Sequence, residues 1–376
     1  MLYTPFIFII AAILQVRMVK KLAEGGFAFV YLVEDVRTGE QYALKRCVAA
    51  ERHQEELILG EIEIMRRLTA TNNPNIVGFL GHIVKQVQGA KEYYILLEFC
   101  SGGSLIGKLQ AIMDSGKRTD ERFMVQVFEG ALHGLAELHK MSPPVAHRDI
   151  KIENILLDNR GIAKLCDFGS CSTKSGVLTT SSEMLAEQDR IAKHSTEMYR
   201  APELCDLYRA KRLGWALGPK VDVWAMGGVL YTLATFKHPF EEGGVLGILS
   251  GKVDMPPFRG YSKYVGYIIS KCFTMDPAQR PSVEDLLQLC QAWRSFLKEG
   301  KHADAALGEQ VDSLIPGVIS GAANTAAPAP AAARPAPSVP TRQPAAAPAA
   351  HRPAPAVPSA AASASDRKST RLNSSH

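Results

Sequence analysis

After Phe296 the chain has no aromatic residue, and between Ser313 and Ser365 it has no acidic one. A stretch with neither cannot bury enough apolar surface to offset the entropy of ordering its backbone. The Ala/Pro repeats between Ala322 and Ala362 therefore predict a disordered, partly polyproline tail over 304–376 rather than a second domain. Cys-x-x-Cys pairs are also missing, since the cysteines stand apart at 47, 100, 166, 171, 205, 272 and 290. That odd, scattered set excludes a disulfide framework and fits reduced thiols in the cytoplasm. No basic run is interleaved with aromatics and the net charge is only +5, which excludes a dedicated nucleic-acid binder and a strong membrane association. The uncharged opening, Met1 to Val16, is shorter than the roughly 20 residues a spanning helix needs, and no basic segment precedes it as in a signal peptide. Residues 1–15 read, in order of preference, as a wrongly predicted start, an extra strand or helix, or a membrane anchor. The end, Asp366 to His376, changes composition abruptly and reads as a sequencing or vector-derived scar.

What is present is 376 residues with 46% hydrophobic content, enough for a sizeable core with residues over. Two short runs carry the chemistry. Ala146-His147-Arg148-Asp149-Ile150-Lys151 leads to Asn154, and Cys166-Asp167-Phe168-Gly169 follows. A base, a cation and two hard oxygen ligands in this order suit transfer of the γ-phosphoryl group of ATP to a hydroxyl. Asp149 is the expected proton acceptor and Lys151 the cation beside the moving group. Asn154 and Asp167 are the expected Mg²⁺ ligands, because that ion keeps several waters and leans on few protein groups.

Upstream, Lys21 to Leu32 reads as strand, glycine turn, strand, with Gly25-Gly26 at the turn. Ala23 and Ala28 stand where a phosphate-covering lid usually has glycine. Tyr42-Ala43-Leu44-Lys45 alternates as a strand, and Glu51 to Leu68 has helical periodicity. At about 100° per residue, Leu57, Ile58, Ile64, Met65 and Leu68 form one stripe with Glu61 at its centre, while Glu63 points the other way. A carboxylate in an apolar stripe is costly unless paired, so Glu61 is assigned to Lys45. Tyr93 to Leu97 is a further strand, which Glu98-Phe99-Cys100-Ser101-Gly102-Gly103 leaves. Glu121 to Met141 predicts a buried helix on which His133 and His139 are structural.

From about Val16 to about Phe296 these motifs resemble eukaryotic Ser/Thr protein kinases. The lid Leu22-Ala23-Glu24-Gly25-Gly26-Phe27-Ala28 is similar to that of the Numb-associated kinase family, which includes the adaptor-associated and cyclin-G-associated kinases. The resemblance implies an α+β, bilobal protein-kinase fold: a small sheet plus one helix over 16–98, a mainly helical lobe over 99–303, and ATP with Mg²⁺ in the cleft. It implies that Ala23, Gly25 and Gly26 cover the phosphates, that Val30 and Ala43 wall the adenine, and that Leu97 stands behind it. Glu98 and Cys100 would offer main-chain groups to the base. Lys45 and Glu61 would join Asp149 and Lys151 in catalysis, and Thr196 would face the substrate ahead of Ala201-Pro202-Glu203. Glu203 would pair with Arg280, and Asp222 would receive catalytic-loop N–H groups. The surplus Leu204 to Lys220 implies an added helix with Leu204, Leu207, Tyr208 and Leu213 on its apolar side.

In many kinases the arginine at the position of Arg148 grips an activation-loop phosphate. Ser172, Thr173, Thr179, Thr180 and Ser181 are the candidate acceptors, with at most modest autoregulation expected. The implied partners are protein substrates bearing Ser or Thr, among them clathrin-adaptor subunits in endocytosis, with a monomer acting in the cytoplasm at vesicle or plasma-membrane coats. The tail reads as a linker whose prolines would suit SH3-type domains; it holds no Asp-Pro-Phe or Asn-Pro-Phe. The alternative class is a pseudokinase or adaptor scaffold that binds nucleotide without turnover, and it rests on the alanine-substituted lid.

Overall fold

The computed structural model describes residues 7–10, 14–25, 28–87, 89–313 and 318–319. Its first strands are β1 (Ile7–Ile10), β2 (Leu14–Glu24), β3 (Ala28–Asp35), β4 (Gln41–Ala49), β5 (Phe79–Val87) and β6 (Ala90–Glu98). They form one antiparallel sheet in the order β1-β2-β3-β4-β6-β5. Because side chains alternate along a strand, β4 sends Leu44 to one face and Lys45 to the other. Leu44 joins Val16, Val33, Tyr94 and Leu96 in a small core on the outer face. The register Val30↔Lys45↔Ile95 and Leu32↔Ala43↔Leu97 puts Val30, Ala43, Lys45 and Leu97 together on the inner face.

Helix α1 (Arg52–Thr69) packs there. Gln54 caps its start by accepting the N–H groups of Ala50 and Glu51 at 2.8 and 3.2 Å. Met65 and Leu68 are buried as the stripe requires, Glu61 is buried among them and Glu63 is exposed. After the sheet come β7 (Gly103–Ser104), α2 (Leu105–Asp114), α3 (Glu121–His139), β8 (Ile155–Leu157) and β9 (Ala163–Leu165). The large lobe continues with α4 (Ser181–His194), α5 (Pro202–Cys205), α6 (Leu207–Leu213), α7 (Lys220–Thr235) and α8 (Gly244–Ser250). It ends with β10 (Val253–Asp254), α9 (Lys263–Cys272), α10 (Val283–Glu299), α11 (Ala305–Asp312) and β11 (Val318–Ile319).

The buried partners are those the motifs name. Glu203 and Arg280 meet in a fully buried double contact at 2.8 and 3.0 Å. Arg280 also donates to the carbonyls of Thr274, Lys220 and Met275, so all its N–H groups are matched. Trp224, stacked on Phe240, lies under the guanidinium. His139 bonds Asp222 at 2.9 Å, a structural contact, whereas His133 is exposed.

Two expectations are corrected. The apolar side of the added segment is Leu204, Leu207, Ala210 and Trp215, while Tyr208 and Leu213 are exposed. The reason is length: α6 makes only two turns and ends at Gly214 in the left-handed region, so its far side never meets the lobe. The folded part also runs past 303. Asp304 caps α11, Gly308 and Val311 are buried, and Gln310 accepts a hydrogen bond from Tyr267 at 2.8 Å. The Ala/Pro repeats lie outside the described residues.

Helix α3 approaches β9 through two glycines one turn apart. A Cβ on Gly130 would lie 2.8 Å from Asn75 Nδ2, and one on Gly134 would lie 2.8 Å from the Asn75 carbonyl and 2.9 Å from Leu165 Cδ1. Gly60, on the exposed side of α1, has nothing within 4 Å of its Cβ position. Gly134→Ala should therefore lower the unfolding free energy by about 1–2 kcal/mol through overpacking. Gly60→Ala should raise it by about 0.5–1 kcal/mol through helix propensity. Denaturant melts of the two variants check the opposite signs.

Candidate active site

The cleft between sheet and helical lobe holds two connected charge clusters. In the first, Lys45 Nζ lies 2.5 Å from Glu61 Oε1 and 3.1 Å from Asp167 Oδ1, joining β4, α1 and the loop after β9. Burial opposes the Lys45 ammonium, but Asp167 and Glu61 outweigh it and hold its pKa well above the ordinary lysine value. Burial pushes the Glu61 carboxyl up against the pull of Lys45, whereas Lys45 holds Asp167 below the usual carboxylate range.

In the second cluster Asp149 is the hub. Its Oδ1 accepts from the Thr196 N–H at 3.0 Å and from Thr196 Oγ1 at 2.7 Å. Its Oδ2 accepts from Lys151 Nζ at 2.7 Å and Asn154 Nδ2 at 3.1 Å, and Lys151 Nζ also lies 2.9 Å from Thr196 Oγ1. The clusters are tied where Cys166 donates its N–H to the Asn154 carbonyl at 3.1 Å and His147 Nε2 lies 3.2 Å from the Cys166 carbonyl. Arg148 and Asp167 both have left-handed backbones, with φ of 67° and 62°, a strained state for side-chain-bearing residues that surrounding contacts must hold. Asp222 does so for the first, accepting the N–H groups of His147 and Arg148, both at 2.8 Å.

Asn154 donates its amide nitrogen to the Asp149 carbonyl at 2.8 Å as well as to the carboxylate, leaving its amide oxygen as the donor for a cation. Among the described residues no group of three or more His, Cys, Asp or Glu stands together as a metal cage. One amide oxygen and one half-exposed carboxylate, Asp167, fit an ion that completes its shell with water and phosphate oxygens.

Of the residues the resemblance gives to the nucleotide, Val30 and Ala43 are half-buried beside Leu97. Ala23 pairs with Val30 across the lid, which closes through the Gly25 N–H to the Ala28 carbonyl at 2.8 Å. Gly26 lies outside the described residues. Cys100 is buried and its thiol is pushed up to about 12; burial likewise raises Cys166. Both thiols are therefore held protonated.

Glu187 had no place in the sequence expectations. Arg148 forms a buried ion pair with Glu187 of α4 and donates to the Lys174 carbonyl at 3.3 Å. A carboxylate of the chain thus meets the arginine that in many kinases grips a phosphate. The signal was there: Thr180 and Glu183 make a capping box at the start of α4, and Met184, Glu187 and Ile191 form its buried stripe. Among the candidate acceptors, Ser172 is buried and Thr180 is that cap.

The protein kinase domain model matches residues 16–291, and the chain belongs to that family. It is 37% identical over 273 residues to a probable serine/threonine-protein kinase of Dictyostelium discoideum, covering 72% of this chain and 24% of that protein. It is 35% identical over 282 residues to actin-regulating kinase 1 of Saccharomyces cerevisiae, covering 73% of this chain and 43% of that protein. A second yeast protein, actin-regulating kinase PRK1, is 32% identical over 295 residues, covering 76% and 35%. The chain thus spans less than half the length of these relatives.

Glu187→Gln leaves Arg148 a buried cation without its counter-charge and should cost about 3 kcal/mol. Hydrogen exchange over residues 172–195 should speed up in this variant. Phosphatase treatment of the native chain should leave that protection unchanged; a loss of protection would mean that a phosphate orders the segment.

Proposed function

We propose that the chain is an ATP-dependent protein serine/threonine kinase. The observation that carries this reading is the hub at Asp149, whose carboxylate bonds Lys151, Asn154 and Thr196 while Lys45 touches both Glu61 and Asp167. Every charged group the reaction asks for is assembled. Adenine would be held between Val30, Ala43 and Leu97 and by the main chain of Glu98 and Cys100, with Ala23 and Gly25 in the lid over the phosphates. Lys45, oriented by Glu61, reaches the phosphates. Asp149 takes the proton of the incoming Ser or Thr hydroxyl, and Lys151 balances charge on the transferred phosphoryl group. Asn154 and Asp167 would hold Mg²⁺, whose chemistry when bound is to neutralise charge on the phosphate oxygens. Thr196, fixed to both base and lysine, shapes the seat of the substrate hydroxyl.

The finer assignment follows the resemblance to the Numb-associated kinases, supported by the lid sequence and by α6, which follows Ala-Pro-Glu after the short α5. It carries clathrin-adaptor subunits as substrates, endocytosis as the process, and the cytoplasm and its vesicle or plasma-membrane coats as the place. Two relatives are named as actin-regulating kinases, and that role comes to this chain with them. We assign it the state of a monomer, and SH3-type domains as partners of its tail. What favours turnover over a nucleotide-binding scaffold is that the alanines of the lid, at 23 and 28, replace no charged group.

Transfer of labelled γ-phosphate to a threonine peptide tests the proposal. Asp167→Asn should lower kcat by about 10²-fold or more, the scale for losing one electrostatic contact to the transition state. Equal, background-level labelling by native and variant chains would instead support the scaffold.

A further inference from the structure

Glu98 offers main chain to adenine, yet its side chain turns elsewhere. Its Oε2 accepts from Lys164 Nζ of β9 at 3.0 Å and from the Gly78 N–H at 3.0 Å, while the Glu98 N–H donates to the Gly78 carbonyl at 2.8 Å. The Lys164 side chain is only 9% exposed, against 34% for Glu98. Its neighbours Ala163 and Leu165 are buried apolar residues. A cation in such a strand is costly unless paired, so a purely structural position here would favour another aliphatic side chain.

The surroundings show what the pair connects. The segment after α1 is stitched to β9 by the Leu165 N–H to the Asn75 carbonyl at 2.8 Å, the Val77 N–H to the Leu165 carbonyl at 2.9 Å, and Asn75 Nδ2 to the Ala163 carbonyl at 2.8 Å. Lys164 reaches that segment too, lying 3.5 Å from the Ile76 carbonyl. Through Gly78 the same segment is bonded to the end of β6. Lys164–Glu98 therefore closes a ring of three pieces: the exit of the helix that carries Glu61, the main chain offered to adenine, and the strand that ends two residues before Asp167.

We propose that Lys164 and Glu98 are a positioning pair, a latch that keeps the adenine-binding main chain in register with Asp167, so that both ends of one Mg-ATP are met at once. The proposal rests on the ATP-dependent reading above. Neither side chain touches the reacting atoms; each acts through the backbone it fixes. The ligand that senses the latch is one long enough to span from β6 to Asp167, which adenosine is not.

Direct binding of Mg-ATP and of adenosine, measured calorimetrically, tests it alongside kcat and the two KM values. Lys164→Met should weaken Mg-ATP about five- to tenfold, the lower range of a site-to-site coupling, and raise its KM in parallel. Adenosine affinity should change less than twofold, the peptide KM should stay put, and Lys164→Arg should recover at least half of the loss. If Lys164→Met does not fold, Glu98→Gln, which keeps an acceptor for Gly78, should give the same pattern. Equal weakening of Mg-ATP and adenosine, or no change in either, overturns the latch and leaves a pair that only stabilises the strand end. A native chain that binds Mg-ATP without labelling peptide fails the kinase reading alone, because the binding comparison still decides the latch.

Discussion

The structure depends first on the ammonium of Lys45 lying between two carboxylates. Burial works against all three charges, so the cluster is tolerable only when β4, α1 and the loop after β9 arrive together. The two carboxylates are not equivalent. Glu61, with 6% of its side chain exposed, is enclosed, whereas Asp167 keeps 48% of its own open to the cleft. The opposite pKa shifts follow: burial dominates at Glu61, and the cation dominates at Asp167. One partner thereby acts as an anchor and the other keeps an ionised edge towards the cleft.

Much of this was legible because the chemistry is local or periodic. Asp149, Lys151 and Asn154 lie within one short run, and Glu61 is exposed as a partner for Lys45 by the apolar stripe it interrupts. The register of β3, β4 and β6 follows from alternation and brings Val30, Ala43 and Leu97 to the face of Lys45. The same stripe argument applies to Glu187, which Met184 and Ile191 flank on the buried side of α4. Lys164 gave no such signal, since a lysine between Ala163 and Leu165 reads as a solvated strand position. Only the fold brings Glu98, 66 residues away, beside it. The outward face of α6 failed for another reason: periodicity says which residues share a side, and not whether anything covers that side.

In the activation segment, helix α4 supplies the counter-charge of Arg148. Its start is set by Thr180 and Glu183, whose carboxylate accepts backbone N–H groups of Thr179 and Thr180 and is lowered to about 2. With α4 placed, Glu187 falls against Arg148, and Lys211 of α6 donates to the Thr179 carbonyl at 2.5 Å. The added helix after Ala-Pro-Glu therefore braces the segment as well as extending the surface beside it. A phosphate would have to displace a carboxylate already bonded in a buried place, and phosphorylation gains little where the counter-charge is built in.

A common logic runs through the buried cations Lys45, Arg148, Lys164 and Arg280. Each meets a carboxylate from a different element, at sequence separations of 16, 39, 66 and 77 residues. Apolar replacements of equal volume would serve stability as well or better, since desolvation consumes most of what a buried pair gains. They would also tolerate sliding, because one aliphatic contact resembles the next. A charge does not tolerate it: an element displaced by one turn strands an ion in a low-dielectric interior, at several times the cost of a lost methyl contact. These pairs therefore act less by deepening the assembled state than by raising the states next to it. For a site assembled from β4, α1, the run from Asp149 to Asn154 and the loop after β9, that separation in energy is what keeps the segments in one place.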